Sequence, residues 1–217
     1  GITQFFPRGQ VIDIHPWEPN EVGPSLLAAL GTDAQIVALH LTRPGVELPD
    51  RDALGMADFR EAAKGAYLIR DYDPSRPKEG CIFVRGTSCT VSLINLLKEG
   101  WFDGEGPNVK LVAAISHELF MLQPQAWRDE IISAQDWADS TFITNNARQN
   151  MWLWAGNRAS FEYAMCPDHD EQWRTGGSYD EIIQEAGLDE ESLRVGIARF
   201  AANREKRLEA TCAPAAL

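Results

Sequence analysis

The stretch "VKLVAAISHELFMLQPQAWRDEII", residues 109–132, decides the fold class. Its first part, 109–115, is largely apolar and hardly alternates, which is typical of a strand that a parallel sheet buries on both faces. Ser116 predicts a helix N-cap for "HELFMLQ", and Pro124 predicts the start of a further helix, "PQAWRDEII". A buried strand followed directly by helices indicates an α/β protein.

The same alternation precedes this stretch. "VIDI" at 11–14 and "QIVALHL" at 35–41 are predicted strands, and "PNEVGPSLLAAL" at 19–30 is a predicted helix between them. The second strand also lacks alternation, so we expect both of its faces to be covered. Together these segments predict one βαβ unit that ends close to Arg43.

A second run of strands and helices begins at Cys81. "CIFV" predicts a strand and "TVSLINLLKEG" a helix, and the strand at 109–115 comes next. "STFITN" then predicts a third strand, "ARQNMWLWAG" a helix, and "FEYAM" a further strand. We therefore expect 80–210 to form a mainly parallel sheet flanked by helices, with strand 109–115 internal.

The end of this region carries strong local signals. Ser178 and Glu181 predict a capping box for "YDEIIQEA", and Gly187 predicts a left-handed C-cap. Asp189 is the predicted cap of the last helix. The remaining tail, 211–217, is small and Ala-rich and is predicted to be disordered.

Composition restricts the class of function. The 217 residues have a formal net charge of -12, which argues against an extended nucleic-acid surface because phosphate binding needs clustered Lys and Arg. No apolar run approaches the ~20 residues that cross a bilayer. The first residues, "GITQFFPRGQ", do not resemble a signal peptide, so the sequence predicts a cytoplasmic protein without a membrane partner.

The cysteines and histidines give weak signals. Cys81, Cys89, Cys166 and Cys212 are widely spaced and predict reduced thiols, with Cys89 a weak candidate nucleophile at a helix start. A metal site in "CPDHDE", 166–171, is conceivable, but a solvated loop is the favoured interpretation. His15, His40 and His117 are each predicted to be structural, because a lone histidine needs a partner for chemistry. The residues alone predict no catalytic, cofactor or metal residue.

Arg43 is the one candidate binding residue. It follows the predicted strand at 35–41, and ligands of parallel sheets approach the carboxyl ends of the strands. Its planar guanidinium can donate two hydrogen bonds to a phosphate. The alternative is a surface arginine that simply ends a strand before Pro44 and Gly45.

The ordered segments resemble the C-terminal part of transketolase, over roughly 11–208. "HPWEPNEVGPSLLAAL" and "IVALHLTRPGVELPDR" resemble the end of that family's pyrimidine-binding domain, and "AKGAYLIRD" resembles its linker. "VKLVAAISHELFMLQPQAWRDEII" is the most similar stretch, and "RTGGSYDEIIQEAGLDEESLRVGIARF" resembles the family's closing turn and last helices. Pro44 in place of the usual Gln, and "GTSC" in place of G-S-E, depart from the pattern.

The resemblance implies a domain organisation. Residues 1–50 would be the last βαβ piece of the pyrimidine-binding domain, 51–79 a linker, and 80–210 the C-terminal domain, ahead of the tail at 211–217. Arg43 would bind the substrate's phosphate, as the arginine of that strand-exit motif does in the family.

The resemblance also implies an activity that this chain does not perform alone. It would belong to a transferase that moves two-carbon ketol units between sugar phosphates. Thiamine diphosphate and Mg²⁺ would be bound by segments outside the chain, on an N-terminal portion or a partner subunit, and the complete enzyme would be a homodimer. The alternatives are a non-catalytic α/β dimerisation module, a deoxyxylulose-phosphate synthase or a 2-oxoacid dehydrogenase component.

Overall fold

The computed structural model describes residues 2–42, 45–87, 90–172, 174 and 176–212. These residues contain two β-sheets, which follow one another along the sequence. The first is a parallel pair, β1 (Val11–Ile14) and β2 (Ile36–Leu39), connected by helix α1 (Val22–Leu30) after a 3₁₀ turn at Pro19–Glu21. This is the predicted βαβ unit.

The second sheet has four strands in the order β3-β5-β4-β6. They are β3 (Ala66–Arg70), β4 (Cys81–Arg85), β5 (Lys110–Ala114) and β6 (Ser140–Thr144). β4 is parallel to both β5 and β6, while β3 pairs antiparallel with β5. The predicted mainly parallel sheet with an internal strand at 109–115 is therefore confirmed. β3 falls within the range predicted as the linker.

Helices cover both faces of the second sheet. The bounds are α2 (Thr90–Lys98), α3 (His117–Met121), α4 (Gln125–Ile131), α5 (Ala134–Ala138), α6 (Arg158–Glu162), α7 (Tyr179–Glu185), α8 (Glu190–Ala202) and α9 (Arg204–Cys212). Further 3₁₀ turns lie at Ile2–Phe5, Phe59–Lys64, Trp101–Asp103 and Arg148–Met151. None of the described helices is long and apolar enough to span a membrane.

Alternate residues of each strand supply two apolar cores. Ile82 and Leu111 pack with Leu93 of α2 and Ile197 of α8 in one cluster. The neighbouring positions in the strands, such as Phe83, pack on the opposite face with Phe120, Phe142 and Trp154. Because both faces are covered, the strands need no polar alternation.

The predicted caps are present where the sequence places them. Ser116 accepts a hydrogen bond from the amide of Leu119, and Ser178 forms its capping box with Glu181. Gly187 adopts a positive φ of 65° after α7, and Asp189 caps α8.

Three expectations are wrong. "FEYAM" is not a strand, because the Asn157 side chain caps a helix at Arg158–Glu162, and the strand contact is reduced to an isolated bridge at Met165. "ARQNMWLWAG" forms only the 3₁₀ turn at Arg148–Met151, from which Met151 and Trp154 enter the core. β2 is exposed or half-buried rather than covered on both faces, because in the described part of the chain it pairs only with β1.

Buried polar contacts join the first sheet to the rest of the chain. Arg51 lies between the fully buried carboxylates of Glu18 and Glu21, with its Nη2 atom 2.8 Å and 3.0 Å from their respective Oε1 atoms. The hydroxyl of Tyr67, at the start of β3, donates to Glu21, and Arg51 Nη2 lies 3.0 Å from that hydroxyl. The guanidinium of Arg51 therefore pairs with both buried side chains, Glu18 and Glu21, where the first sheet meets β3.

Candidate functional site

A polar cluster lies where β1 and β2 end. Ile14 and Leu39 are register partners, so the residues that follow them, His15 and His40, leave the sheet at the same level. The His40 amide donates to the Ile14 carbonyl at 2.9 Å. The His15 amide donates to the carbonyl of Ile115 at 2.8 Å, which places the cluster between the two sheets.

Asp13 is the centre of this cluster. It lies two residues before His15 in an extended segment, so both side chains point to the same side of the strand. Its Oδ1 atom is 2.6 Å from Nε2 of His40, and its Oδ2 atom is 3.4 Å from Nε2 of His15. Oδ2 also accepts from the Thr3 hydroxyl at 3.0 Å and lies 3.5 Å from Nη2 of Arg85. The Asp13 carboxylate is thus surrounded by donors.

The two imidazole rings stack. Their centroids are 4.0 Å apart and their planes differ by 6°. His15 is buried, whereas 43% of the His40 side chain is exposed. His40 therefore forms the solvent-facing layer of the cluster, and Asp13 and His15 support it from within.

Burial and nearby charges determine the protonation states of Asp13 and His15 in this cluster. Burial alone would raise the pKa of Asp13, but the close contacts of its carboxylate with His15 and His40 and the nearby charge of Arg85 hold it far below its usual range. Burial, reinforced by Arg85, lowers the pKa of His15 to about 3. At neutral pH Asp13 is therefore ionised and His15 is neutral. Burial also raises the pKa of Glu118, whose Oε2 atom lies 3.4 Å from the Asp13 amide nitrogen.

Among the described residues, Asp13, His15 and His40 form a group whose possible metal-ligand atoms all lie within 4.8 Å of one another. Two imidazoles and a carboxylate are ligands that suit zinc or iron. A coordinated ion lies in the plane of each imidazole that binds it, however, and two nearly parallel rings stacked at 4.0 Å share no such point. The observed arrangement is a hydrogen-bonded cluster and not a formed metal centre.

A cavity of about 500 Å³ lies beside Val11 and Ile12 of β1, and Thr3 and Glu118, which contact Asp13, are part of its lining. Apolar side chains including Phe6, Met121 and Trp152 form much of its lining, and Arg8 and Glu118 contribute charge at its wall. In the cluster, by contrast, Thr3, His40 and Arg85 all lie close to the one carboxylate of Asp13. We therefore take the carboxyl ends of β1 and β2 as the candidate site.

The candidate residues from the sequence are only partly located. Arg43, the predicted phosphate ligand, and the adjacent Pro44 lie outside the described residues, as does Cys89. Cys81 and Cys166 are free and buried, and burial raises the pKa of both thiols, that of Cys166 to about 12. Neither thiol is therefore a ready nucleophile.

The acidic residues of "CPDHDE" form ion pairs with nearby arginines. Asp168 lies 3.6 Å from Nε of Arg148, and Asp170 lies 2.5 Å from Nη2 of Arg174. The metal group found among the described residues does not include this segment.

Sequence reasoning missed the cluster because it treated His15 and His40 separately. The D-x-H spacing of Asp13 and His15 and the presence of a histidine directly after each of two parallel strands were the available signals. His40, predicted to be structural, is 43% exposed at the rim of the cluster.

Comparisons with known proteins concern the fold. No protein-family model and no curated protein sequence matches the chain. A transketolase of Pichia stipitis, solved in complex with sedoheptulose 7-phosphate, is 14% identical with a TM-score of 0.67, covering 92% of this chain and 27% of that one. A transketolase of Leishmania mexicana is 18% identical with a TM-score of 0.62, covering 94% and 27%.

A transketolase of Campylobacter jejuni is 16% identical with a TM-score of 0.56, covering 88% of this chain and 26% of that chain. The chain thus spans about a quarter of the length of these structures. The similarity covers 88% to 94% of the chain. The chain therefore has the fold of the C-terminal region of transketolase.

Proposed function

We propose that this chain is the C-terminal portion, or a separate subunit, of a transketolase-like transferase that depends on thiamine diphosphate. The complete enzyme moves two-carbon ketol units between sugar phosphates. The observation that carries the proposal is the coverage: 92% of this chain matches 27% of a transketolase structure solved with a sugar phosphate.

The exposed apolar surface of the first 50 residues supports the proposal that a partner covers it in the complete enzyme. Large apolar side chains that are exposed here are Phe5, Phe6, Leu27, Leu30, Ile36, Leu41 and Leu48. β2 lies among them and is exposed at Ile36 and half-buried at its other three positions, although its sequence is that of a strand covered on both faces. We propose that the portion carrying the cofactor-binding domain covers this surface, and that the complete enzyme is a homodimer.

We assign the binding of the substrate's phosphate to Arg43. This residue follows β2 closely, and the carboxyl ends of parallel strands are where ligands bind in α/β proteins. The proposal rests on the sequence motif, and on the location of the neighbouring polar cluster at the same strand ends.

The cofactor is assigned to segments outside the chain. Mg²⁺ prefers an octahedron of oxygen ligands, whereas the metal-ligand group found in the described residues contains two imidazoles. Asp13, His15 and His40 therefore do not fit the Mg²⁺ of a bound diphosphate, and we assign no catalytic step to them through that group.

A coupled assay tests this function. The complete protein, or this chain mixed with the partner that supplies the cofactor domain, is given xylulose 5-phosphate as donor and ribose 5-phosphate as acceptor. We expect turnover that requires both thiamine diphosphate and Mg²⁺ and that stops when either polypeptide portion is omitted. Turnover by the isolated chain, or none by the complete protein with both cofactors, would overturn the proposal.

A further inference from the structure

The buried nitrogen Nε2 of His15 has no hydrogen-bond partner among the described residues. His15 is only 3% exposed, and Asp13 Oδ2 lies 3.4 Å from this nitrogen without completing a hydrogen bond. Buried polar atoms are nearly always paired with protein, water or an ion, because an unpaired one keeps its full desolvation cost. The ring is neutral at neutral pH, so one of its nitrogens offers a lone pair. A ligand that takes up this lone pair at Nε2 would remove that cost.

The distance between His15 and Asp13 matches the distance between two ligands of one zinc ion. Zinc bonds to nitrogen and oxygen are about 2.0–2.2 Å long, so neighbouring ligand atoms of a tetrahedral site lie about 3.3–3.6 Å apart. His15 Nε2 and Asp13 Oδ2 are 3.4 Å apart. Two of the three members of the cluster therefore already have the spacing of a zinc site, and both are buried.

His40 is the member of the cluster that must move to complete such a site. Its Nε2 atom is 2.6 Å from Asp13 Oδ1, which leaves no room for an ion between them, and its ring is stacked on that of His15. Its side chain is 43% exposed, while its amide is held by the Ile14 carbonyl. Rotation about the side-chain bonds takes the ring out of the stack, so that the two ring planes cross and both Nε2 atoms face one point. The ring can therefore turn while the ends of the two strands stay paired.

Nearby charges determine which ion suits the cluster. Asp13 is ionised, Arg85 Nη2 lies 3.5 Å from its Oδ2 atom, and Glu118 contacts its amide nitrogen. Because Arg85 offsets the single carboxylate, the cluster disfavours hard ions such as Mg²⁺ and Ca²⁺, which need several oxygen ligands. Two imidazoles and one carboxylate suit zinc, which binds neutral nitrogen ligands well. The Thr3 hydroxyl donates to Asp13 Oδ2 at 3.0 Å and would hold the carboxylate in place.

We propose that Asp13, His15 and His40 bind a zinc ion, with His40 turning out of its stack to complete the site. The three residues supply one carboxylate oxygen and two Nε2 atoms, and solvent takes the fourth position of the tetrahedron. The ion connects the ends of β1 and β2, so its binding stabilises the folded chain. This inference does not depend on the proposed transfer reaction.

Calorimetry on the full chain without an affinity tag tests the site directly. We expect one saturable site per chain for Zn²⁺ at neutral pH and no heat above dilution for Mg²⁺. His40→Ala should weaken Zn²⁺ binding by at least about 10-fold, since a lost ligand costs no less than a lost neighbour of a ligand. His169→Ala is the matched control, because His169 is also exposed and lies beside Asp168 and Asp170 but outside the cluster. It should bind Zn²⁺ like the wild type.

Two further measurements do not depend on the heat of binding. Co²⁺ in place of Zn²⁺ should give the intense visible absorption of a four-coordinate ion, and Asp13→Asn, which keeps the shape of the side chain but removes its charge, should abolish it. Zn²⁺ should raise the urea midpoint of the wild type and of His169→Ala, and leave that of His40→Ala unchanged. Far-UV circular dichroism without metal verifies that each variant is folded.

Four results would overturn the inference. They are no saturable Zn²⁺ binding by the wild type, wild-type affinity in a folded His40→Ala, an equal loss in His169→Ala, and a weak Co²⁺ spectrum typical of six-coordination.

Discussion

Arg43 is the residue on which the proposed phosphate contact depends. In the complete enzyme Arg43→Ala should raise KM for phosphorylated substrates about 10- to 100-fold, because a charge-assisted hydrogen bond contributes roughly 1.5–3 kcal/mol. KM for unphosphorylated substrates should change far less. Steady-state kinetics on a matched pair of sugars, with and without the phosphate, measure the difference.

Arg60→Ala is the control for this substitution. Arg60 is a solvent-exposed arginine paired locally with Asp58, and removing it changes the net charge by the same amount. Equal losses on both kinds of substrate in Arg43→Ala would contradict the phosphate role, and no loss would favour a surface arginine that ends a strand.

Glu21 should make stability depend on pH. Burial, with the nearby charge of Glu18, raises the pKa of Glu21 to about 7, against the hydrogen bond from Tyr67 and the charge of Arg51. A raised folded-state pKa stabilises the protein below the unfolded value of 4.5, and this contribution is lost as the pH rises towards 7. Glu21→Gln should remove that decline, which is on the order of 3 kcal/mol.

The measurement is the difference in free energy of unfolding between wild type and Glu21→Gln, by urea titration at several pH values from 4.5 to 7. We use the difference because His15 also makes wild-type stability depend on pH, in the opposite direction. Its lowered pKa gives a stabilisation that is lost as the pH falls, and this contribution is common to both proteins and cancels. Two parallel curves across this range would show that Glu21 ionises normally in the folded chain.

At the scale of elements, Gly65 fixes how β3 meets the turn after β5. Its φ is 88°, and its carbonyl accepts from the amides of Ile115 and Ser116 at 3.0 Å and 2.9 Å. An added Cβ would lie 2.3 Å from the backbone atoms Phe120 N and Ser116 O, which cannot move independently. Gly65→Ala should therefore destabilise the chain by about 3–5 kcal/mol, measured by urea unfolding.

Gly100→Ala is the matched control. Gly100 also has a positive φ, 66°, but no atom lies within 4 Å of its added Cβ. It should therefore show only the backbone cost of about 1–2 kcal/mol. If the two substitutions destabilise equally, close packing at Gly65 is not what joins β3 to the turn.

The sequence predicts elements best where neighbouring residues encode them. The caps at Ser116, Ser178 and Asp189 are local, and each is present. The region around "FEYAM" fails because the Asn157 cap turns a β-like apolar pattern into a helix. Local propensity competes there with tertiary packing, and a single sequence does not show which prevails.

The candidate site depends on contacts that sequence patterns do not contain. Asp13 meets His40 only because Ile14 and Leu39 are register partners across the first sheet. Register is set by packing of the whole βαβ unit, so the sequence could place each histidine after a strand but not bring the two rings together. The phosphate role of Arg43 stays a prediction from its motif.

At the scale of the whole molecule, the exposed apolar surface should cause association. Leu27 and Leu30 on α1 are 73% and 64% exposed. The isolated chain should self-associate at high concentration, and the double substitution Leu27→Glu with Leu30→Glu should shift it towards monomer. Sedimentation velocity across a concentration series measures this.

Val195→Glu provides the comparison, because Val195 is 59% exposed on α8, away from the first 50 residues. It should associate like the wild type. A wild-type chain that stays monomeric at every concentration would count against a surface that a partner normally covers.

The central claim is that this chain completes an enzyme that transfers a two-carbon unit. The most direct measurement uses xylulose 5-phosphate labelled with ¹³C at carbons 1 and 2, ribose 5-phosphate, thiamine diphosphate and Mg²⁺, with the complete protein. Mass spectrometry should find both labels together in a seven-carbon sugar phosphate, and none when this chain is removed. Intact labelled donor with no seven-carbon product, under conditions where both cofactors are bound, would contradict the account.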